Sequence, residues 1–337
     1  RDGLAAKLLS YVVHGHPRPL AQTTAPQHRH AARKQCKRHA GGASLNRRKP
    51  IVTRSSYACG IILRRVSFPN TRLYNVTAII LAAGEGTRMK SNHCKVSHKI
   101  LGKPMVQWIV DATIKAGCSR VVVVIGSHAD EMRALIDGAY ANSATKVECV
   151  EQTERLGTGH AVKVALEACG ITQGPVVVLN GDLPLITADT VAKFAQTVAT
   201  GELACTVMTM TPPDPFGYGR IKLGADGQIE RIIEQKDCTP EQAATLLECN
   251  AGCYAFDGAQ LAAHINEIGN DNAQSEYYLP DMLEILKGHG QAVSIFHCDD
   301  YRDGLGVNSR IQLAQLTAIA RDRINEHWMA EGVTFID

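Results

Sequence analysis

Val76-Thr77-Ala78-Ile79-Ile80-Leu81-Ala82-Ala83-Gly84-Glu85-Gly86-Thr87-Arg88-Met89 opens as an apolar, partly β-branched run and turns into a glycine loop. An apolar run of this kind suits a strand covered on both faces, as in parallel sheets. Gly84 and Gly86 accept positive φ and carry no side chain, so backbone N–H groups can close on a phosphate, and Arg88 adds a bidentate donor. Glycines after a strand also make plain turns, so the loop alone leaves both readings open. It is not the dinucleotide fingerprint, because Met89 stands where a third glycine belongs, and it is not a P-loop, because no Gly-Lys-Ser/Thr follows.

From Val76 onward strands and helices alternate in the manner of a doubly wound, mostly parallel α/β sheet. Pro104 opens a helix to about Ala116, where Gly117 stops it. Arg120 to Gly126 reads as a strand, Asp130 to Ile136 as a helix and Lys146 to Glu151 as a strand. Gly157-Thr158-Gly159-His160 leads a helix to about Cys169, and Pro175 to Leu179 forms a strand ending at Asn180-Gly181-Asp182. A helix at 187–199 and a strand at 203–210 follow. Beyond Pro212 the pattern becomes antiparallel, with Gly219 to Leu223, Ile229 to Gln235 and Cys249 to Phe256 expected to cap the sheet and wall a second pocket. Helices near 276–288 and 308–330 end the chain, the last one long and amphipathic.

The 337 residues carry a formal charge of +3, which hides a split. Residues 1–75 hold 15 Lys/Arg and one acid, and residues 76–337 hold 21 Lys/Arg and 32 acids, so the two parts carry +14 and −11. The first methionine is Met89. The basic segment reads as a phosphate-gripping arm, as an Arg-rich targeting presequence, or as upstream sequence translated ahead of a start near Val76. We adopt the last reading and expect residues 1–75 to be a disordered, non-native extension. A nucleic-acid partner is then not expected. No segment approaches the length of a membrane span. The eleven cysteines form no C-x-x-C pair, which points to reduced thiols in a cytoplasmic compartment.

Ligands of open parallel sheets lie beyond the carboxyl ends of the strands, which is where the glycine loop and Asp182 fall. Asp182 facing phosphates implies an intervening cation such as Mg²⁺; its alternative role is to cap the next helix. Lys95 is close enough to Arg88 to converge on a β/γ-phosphate, or is a solvated charge. Gln152 offers the donor and acceptor that would read a base edge, with the Gly157-Thr158 backbone beside it. Asn308 could reach back to the metal or cap the last helix.

Taken together, the glycine loop, Lys95, Glu151-Gln152, Leu156-Gly157-Thr158-Gly159-His160-Ala161, Gly181-Asp182-Leu183-Pro184-Leu185, Gly217-Tyr218-Gly219-Arg220, Glu234-Gln235-Lys236-Asp237, Asn250-Ala251-Gly252, Asn272-Ala273-Gln274-Ser275-Glu276-Tyr277-Tyr278 and Gly306-Val307-Asn308 resemble the bacterial N-acetylglucosamine-1-phosphate uridylyltransferases, in their pyrophosphorylase domain. The resemblance covers about Val76 to the end. It implies a Rossmann-like nucleotidyltransferase fold with an antiparallel sugar-binding excursion, spanning 76–306 and followed by a helical linker at 307–337. It implies the conversion of UTP and N-acetylglucosamine-1-phosphate into UDP-N-acetylglucosamine and pyrophosphate, a cell-wall and lipopolysaccharide precursor step. It assigns UTP to Leu81, Ala82, Ala83 and Gly84, with Gln152, Gly157 and Thr158 around the uracil. Arg88 and Lys95 would be catalytic, Asp182 and Asn308 would bind Mg²⁺, and Gly219, Glu234, Asn250 and Tyr278 would hold the sugar.

Two departures stand out. The family carries Leu-Pro before its lysine, where this chain has His93-Cys94; without proline the loop carrying Lys95 is expected to loosen and weaken the enzyme. The family also continues into a left-handed β-helix with acetyltransferase activity. This chain stops about where that helix would begin, so acetyl transfer is not expected in it, and neither is the trimer that the β-helix builds; a monomer or weak homo-oligomer is. The competing readings are a related sugar-1-phosphate nucleotidyltransferase and a catalytically weak nucleotide-sugar-binding paralogue.

Overall fold

The computed structural model describes residues 75–225, 227–272 and 274–336; the expectations attached to the basic segment lie outside them. Strand β1 (Thr77–Ala82) runs into the glycine loop and a tight 3₁₀ turn at Thr87–Met89. A small hairpin of β2 (Lys99–Ile100) and β3 (Lys103–Pro104) delivers the chain to helix α1 (Met105–Ala116). α1 ends because Gly117 turns left-handed at φ 93° and its N–H reaches back to the carbonyls of Thr113 and Ile114. There follow β4 (Arg120–Ile125), α2 (Ala129–Tyr140), β5 (Lys146–Glu151), α3 (Thr158–Cys169), β6 (Pro175–Asn180), α4 (Ala188–Ala199) and β7 (Cys205–Met210). The second half contains β8 (Arg220–Leu223), β9 (Ile229–Ile233), α5 (Pro240–Thr245), β10 (Cys249–Asp257), α6 (Gly258–His264), α7 (Met282–Gly288), β11 (Val293–His297) and α8 (Arg310–Ala330).

The main sheet runs β11-β7-β10-β6-β1-β4-β5, and β10 alone on that path is antiparallel to its neighbours. β8 branches from β10 and pairs with β9. The expected excursion is therefore only partly separate. Most of β10 lies inside the main sheet between β6 and β7, and only its first residues reach toward β8, across a register break between Asn250 and Tyr254.

Alternation along β1 divides the core. Ala78, Ile80 and Ala82 face a layer filled by Val106, Ile109 and Val110 of α1, Met132 and Ile136 of α2, and Phe194 of α4. Ile79 faces the opposite layer, with Val162 and Leu166 of α3, Leu261 of α6 and Leu286 of α7. Phe194 and Phe256 are fully buried, one in each layer; truncating either to alanine costs about 3–5 kcal/mol. A third cluster joins Met89, Ile100, Met105, Leu185, Val307, Leu316 and Ala320, so that α8 closes over the glycine loop. α8 has the expected length but not the expected amphipathicity. Only Leu316 and Ala320 are buried in it, while Ile311, Trp328 and Met329 are exposed.

Candidate active site

From β1 the sheet extends through β4 and β5 on one side and through β6 on the other, so the loops leaving β1 and β6 flank a crevice. Leu81 is in register with Asn180, and the Gly181 N–H donates to the Leu81 carbonyl at 2.8 Å. A Cβ on Gly181 would stand 2.8 Å from that same oxygen, so only glycine lets the two loops approach this closely. Ala82 and Ala83 are buried at the end of β1, and Gly84 is exposed at the loop tip.

Four side chains from distant segments meet in the crevice. The Lys95 ammonium donates to the Asp182 carboxylate and, at 2.8 Å, to Asn308 Oδ1. Arg88 donates to the same Oδ1, also at 2.8 Å. Lys95 is no solvated charge, its side chain being 14% exposed and that of Asp182 17%. The capping alternatives fall away as well. The helix after Asp182 is capped by Thr187, whose side chain accepts from Thr190, and α8 is capped by Ser309, which accepts from Gln312. Asp182 and Asn308 thus point two hard oxygens at one position, taken up by the Lys95 ammonium.

Gly86 permits this arrangement. It sits at φ 62°, and a Cβ there would be 2.4 Å from the Lys95 Cβ, so both conformation and space demand glycine. Met89 is buried in the third cluster, which explains why no third glycine is needed. The loop before Lys95 is not loose. Cys94 is buried, its N–H donates to Glu131 Oε2 at 3.1 Å, and its carbonyl accepts from Ser97 Oγ at 2.9 Å. Burial opposes ionisation of Glu131, yet Ser97, the Cys94 backbone N–H and His93 around it hold its carboxyl below the ordinary value. A proline at 94 would have no N–H for Glu131 to accept.

On one side of this centre a cleft of about 490 Å³ opens between the ends of β4 and β5, lined among others by Gly126, His128, Glu131, Gln152 and Arg155. Gln152 is 4% exposed; its Nε2 donates to the Gly157 carbonyl at 3.1 Å and lies 3.0 Å from His160 Nδ1. That leaves Oε1 as its acceptor. Gly157 (φ 104°) and Gly159 lie against the backbone of Tyr277, 2.6 Å and 3.0 Å from its carbonyl as judged at their missing Cβ positions. Thr158 Oγ1 accepts from the Leu279 N–H at 3.0 Å. The Gly-Thr-Gly run thus clamps the 276–279 segment beside the cleft, and the Thr158 hydroxyl is already engaged.

On the other side stand β8, β9 and the start of β10. The Asn250 N–H donates to the Gly219 carbonyl at 2.8 Å, and its side chain bridges Tyr254 Oη at 3.0 Å and the Gly252 N–H at 2.8 Å. Glu234 lies beside Gly219, its Oε1 3.4 Å from where a Cβ would be. Burial pushes the Tyr278 phenol up, and the carboxylates of Glu276, Glu234 and Asp281 add to it.

Residues 78–236 match the family described as the MobA-like NTP transferase domain. The chain is 45% identical over 260 residues to the bifunctional protein GlmU of Shouchella clausii, 43% over 263 to that of Exiguobacterium sibiricum and 40% over 260 to that of Bacillus subtilis. The chain carries a GlmU-type pyrophosphorylase domain. These alignments take in 77–78% of the chain, and the chain spans 55–57% of the length of those relatives.

Two residues beside the crevice have no role assigned from the sequence, although Tyr218 stands there within the Gly217-Tyr218-Gly219-Arg220 motif. Glu131, which pins the Lys95 loop, lies on α2 in a stretch with no motif; an acid in the first turn of a helix is indistinguishable from a dipole partner. Tyr218 sits between the two sides. Burial raises its phenol, its hydroxyl bonds to the Gly306 backbone, and the Asp182 carboxylate acts in the same direction as burial. Among the described residues no helix is long and apolar enough to cross a membrane, and the nine described cysteines are free thiols.

Proposed function

We propose that this domain transfers the uridylyl group of UTP to N-acetylglucosamine-1-phosphate, forming UDP-N-acetylglucosamine and pyrophosphate with Mg²⁺. The observation that carries this is the meeting of Arg88, Lys95, Asp182 and Asn308 where the loops after β1 and β6 face each other. Two oxygens with open coordination suit an ion that keeps several waters and phosphate oxygens around it, and Asp182 and Asn308 would hold it. When bound, Mg²⁺ neutralises phosphate charge.

The sugar phosphate is ionised at neutral pH, so its oxygen attacks the α-phosphorus of UTP without a general base, and the bond to the bridging β-phosphate oxygen breaks in line. Arg88 and Lys95 neutralise the departing pyrophosphate. For this Lys95 parts from Asp182 as the anionic ligand arrives. Leu81 through Gly84 line the phosphate path. Gln152 Oε1 accepts from the base edge beside Gly157 and Thr158, as a uracil N3–H would require. Gly219, Glu234, Asn250 and Tyr278 position the sugar. A cytoplasmic, reducing setting fits the free thiols.

The test is pyrophosphate release by the purified chain with Mg²⁺, UTP and N-acetylglucosamine-1-phosphate, beside Asp182→Ala, glucose-1-phosphate and the other nucleoside triphosphates. Release that needs Asp182 and prefers UTP and the acetamido sugar is expected. A preference for another base or sugar would favour a related sugar-1-phosphate nucleotidyltransferase, and tight UDP-sugar binding without turnover would favour a sensor. The hydrogen-bonded Lys95 loop speaks for turnover.

A further inference from the structure

We propose a second divalent-metal site, built from His264, Glu267 and His289 and suited to a zinc-class ion. His264 ends α6, Glu267 follows in a 3₁₀ turn, and His289 caps α7. Their ligand atoms all lie within 4.8 Å of one another. His264 Nδ1 is 2.7 Å from one carboxylate oxygen of Glu267, and His289 Nε2 is 2.9 Å from the other. The two imidazole rings stack with centroids 4.0 Å apart, so both edges converge on one carboxylate. Two imidazole nitrogens and a carboxylate are the donor set of zinc and its transition-metal neighbours; Mg²⁺ takes oxygen. Opening the pairs by about half an ångström brings the donors to the spacing that bonds of about 2.0–2.1 Å to one ion require.

The site is held from beneath. Leu261, Ile265, Ile268 and Leu286 flank the three ligands in sequence and are all buried in one core layer, so the backbone positions are set without metal. The ligand side chains are accessible, with 17%, 45% and 45% exposed, which leaves room for water on the ion. The place is remote from the phosphate crevice in the fold. His289 precedes β11, whose start pairs with the start of β7, at the sheet end opposite the carboxyl ends that carry Asp182. An ion there would tie the ends of α6 and α7 together and lock the layer behind β7 and β11 instead of entering the transfer reaction.

The test is zinc uptake by the full chain, stripped with EDTA and desalted, kept in a phosphine reductant and excess Mg²⁺, and titrated against a chromophoric chelator. Asp182→Ala, Glu267→Gln and His289→Ala are measured beside it. Wild type and Asp182→Ala should take up one zinc more per chain than His289→Ala. Affinity at that site should fall about tenfold or more in Glu267→Gln. Zinc should raise the melting midpoint of the wild type and leave that of His289→Ala unmoved, while melting in EDTA shows that the variants are folded. Equal uptake and equal stabilisation by zinc in all four proteins would overturn the proposal, as would no uptake by the wild type. A cobalt spectrum showing thiolate charge transfer that persists in His289→Ala would overturn it too, assigning the ion to cysteine.

Discussion

Cys94 shows how one residue can depart from a resemblance without undoing it. The absence of proline before Lys95 suggests a loose loop, but the N–H that proline would lack is the one Glu131 binds. Removing that acceptor in Glu131→Ala orphans a buried donor, at roughly 1 kcal/mol or more, and lets the Lys95 backbone drift. Its denaturation midpoint and turnover should both fall. Adding Cys94→Pro to Glu131→Ala removes the orphan, so the double variant should recover part of the stability; a double variant no better than the single one would refute the pinning role. Lys95→Ala should lower kcat by about a hundredfold and change KM less, because its charge is needed most as pyrophosphate leaves. Arg88, Lys95, Asp182 and Asn308 are all legible as candidates, but Lys95 reads equally as a solvated charge and Asp182 and Asn308 as helix caps, alternatives that sequence cannot remove. What removes the capping alternatives is local: Thr187 and Ser309 occupy the caps, and hydroxyls near a helix start cannot be ranked as caps from spacing alone. Thr158 is the reverse case. Its backbone stands beside the expected base site, while its hydroxyl serves Leu279.

At the scale of elements, the parallel strands and their helices were readable because buried β-branched runs and glycine stops carry strong local signals. Pairing partners were not. β10 was assigned to the cap with β8 and β9 because all three follow the same antiparallel pattern, and nothing local says that it slips between β6 and β7. The edge strand β11 was missed altogether, a short run in which only Val293 is buried. Its outer end is tied by His297, whose Nδ1 lies 3.3 Å from Glu248 Oε1. The hydrogen bond that the His297 imidazolium donates to the Glu248 carboxylate raises it above its ordinary 6.5, against the effect of burial. A raised folded value means stability that is fully present below about pH 6.5 and is lost as pH climbs through the folded value. The stability gap between wild type and His297→Gln should therefore be widest just below pH 6.5 and shrink toward alkaline pH; a constant gap would rule the ion pair out. The Gly-Thr-Gly clamp is an element-scale device as well. Gly157→Ala forces a Cβ against the Tyr277 carbonyl at a positive φ, at about 1–3 kcal/mol, and should raise KM for the nucleotide more than it lowers kcat.

For the molecule as a whole, the site closes only when α8 docks, because Asn308 lies just before that helix and is far in sequence from the residues it touches. The amphipathic pattern expected of α8 would have docked it by apolar contact, yet few of its residues are buried. Part of the work falls to one cation. Arg323 donates to the Leu185 carbonyl at 2.7 Å, to Asp300 at 2.7 Å and to Asp303 at 2.8 Å. Asp303, 2% exposed, also accepts from the Thr187 and Thr190 hydroxyls, so the helix is joined both to the loop after Asp182 and to the cap of α4. Such a network is invisible in sequence, since it joins Arg323, Asp300 and Asp303 to Leu185, Thr187 and Thr190 across more than a hundred residues. Arg323→Met would leave Asp303 buried without its cation, at about 3 kcal/mol. It should also lower turnover, though Arg323 touches no part of the phosphate crevice, by letting Asn308 move away from Lys95. Asp303→Asn in the same chain removes the unpaired charge, so the double variant should regain stability. If turnover stays low in the double variant while stability returns, Arg323 acts by positioning Asn308; if the two recover together, its effect is on folding alone.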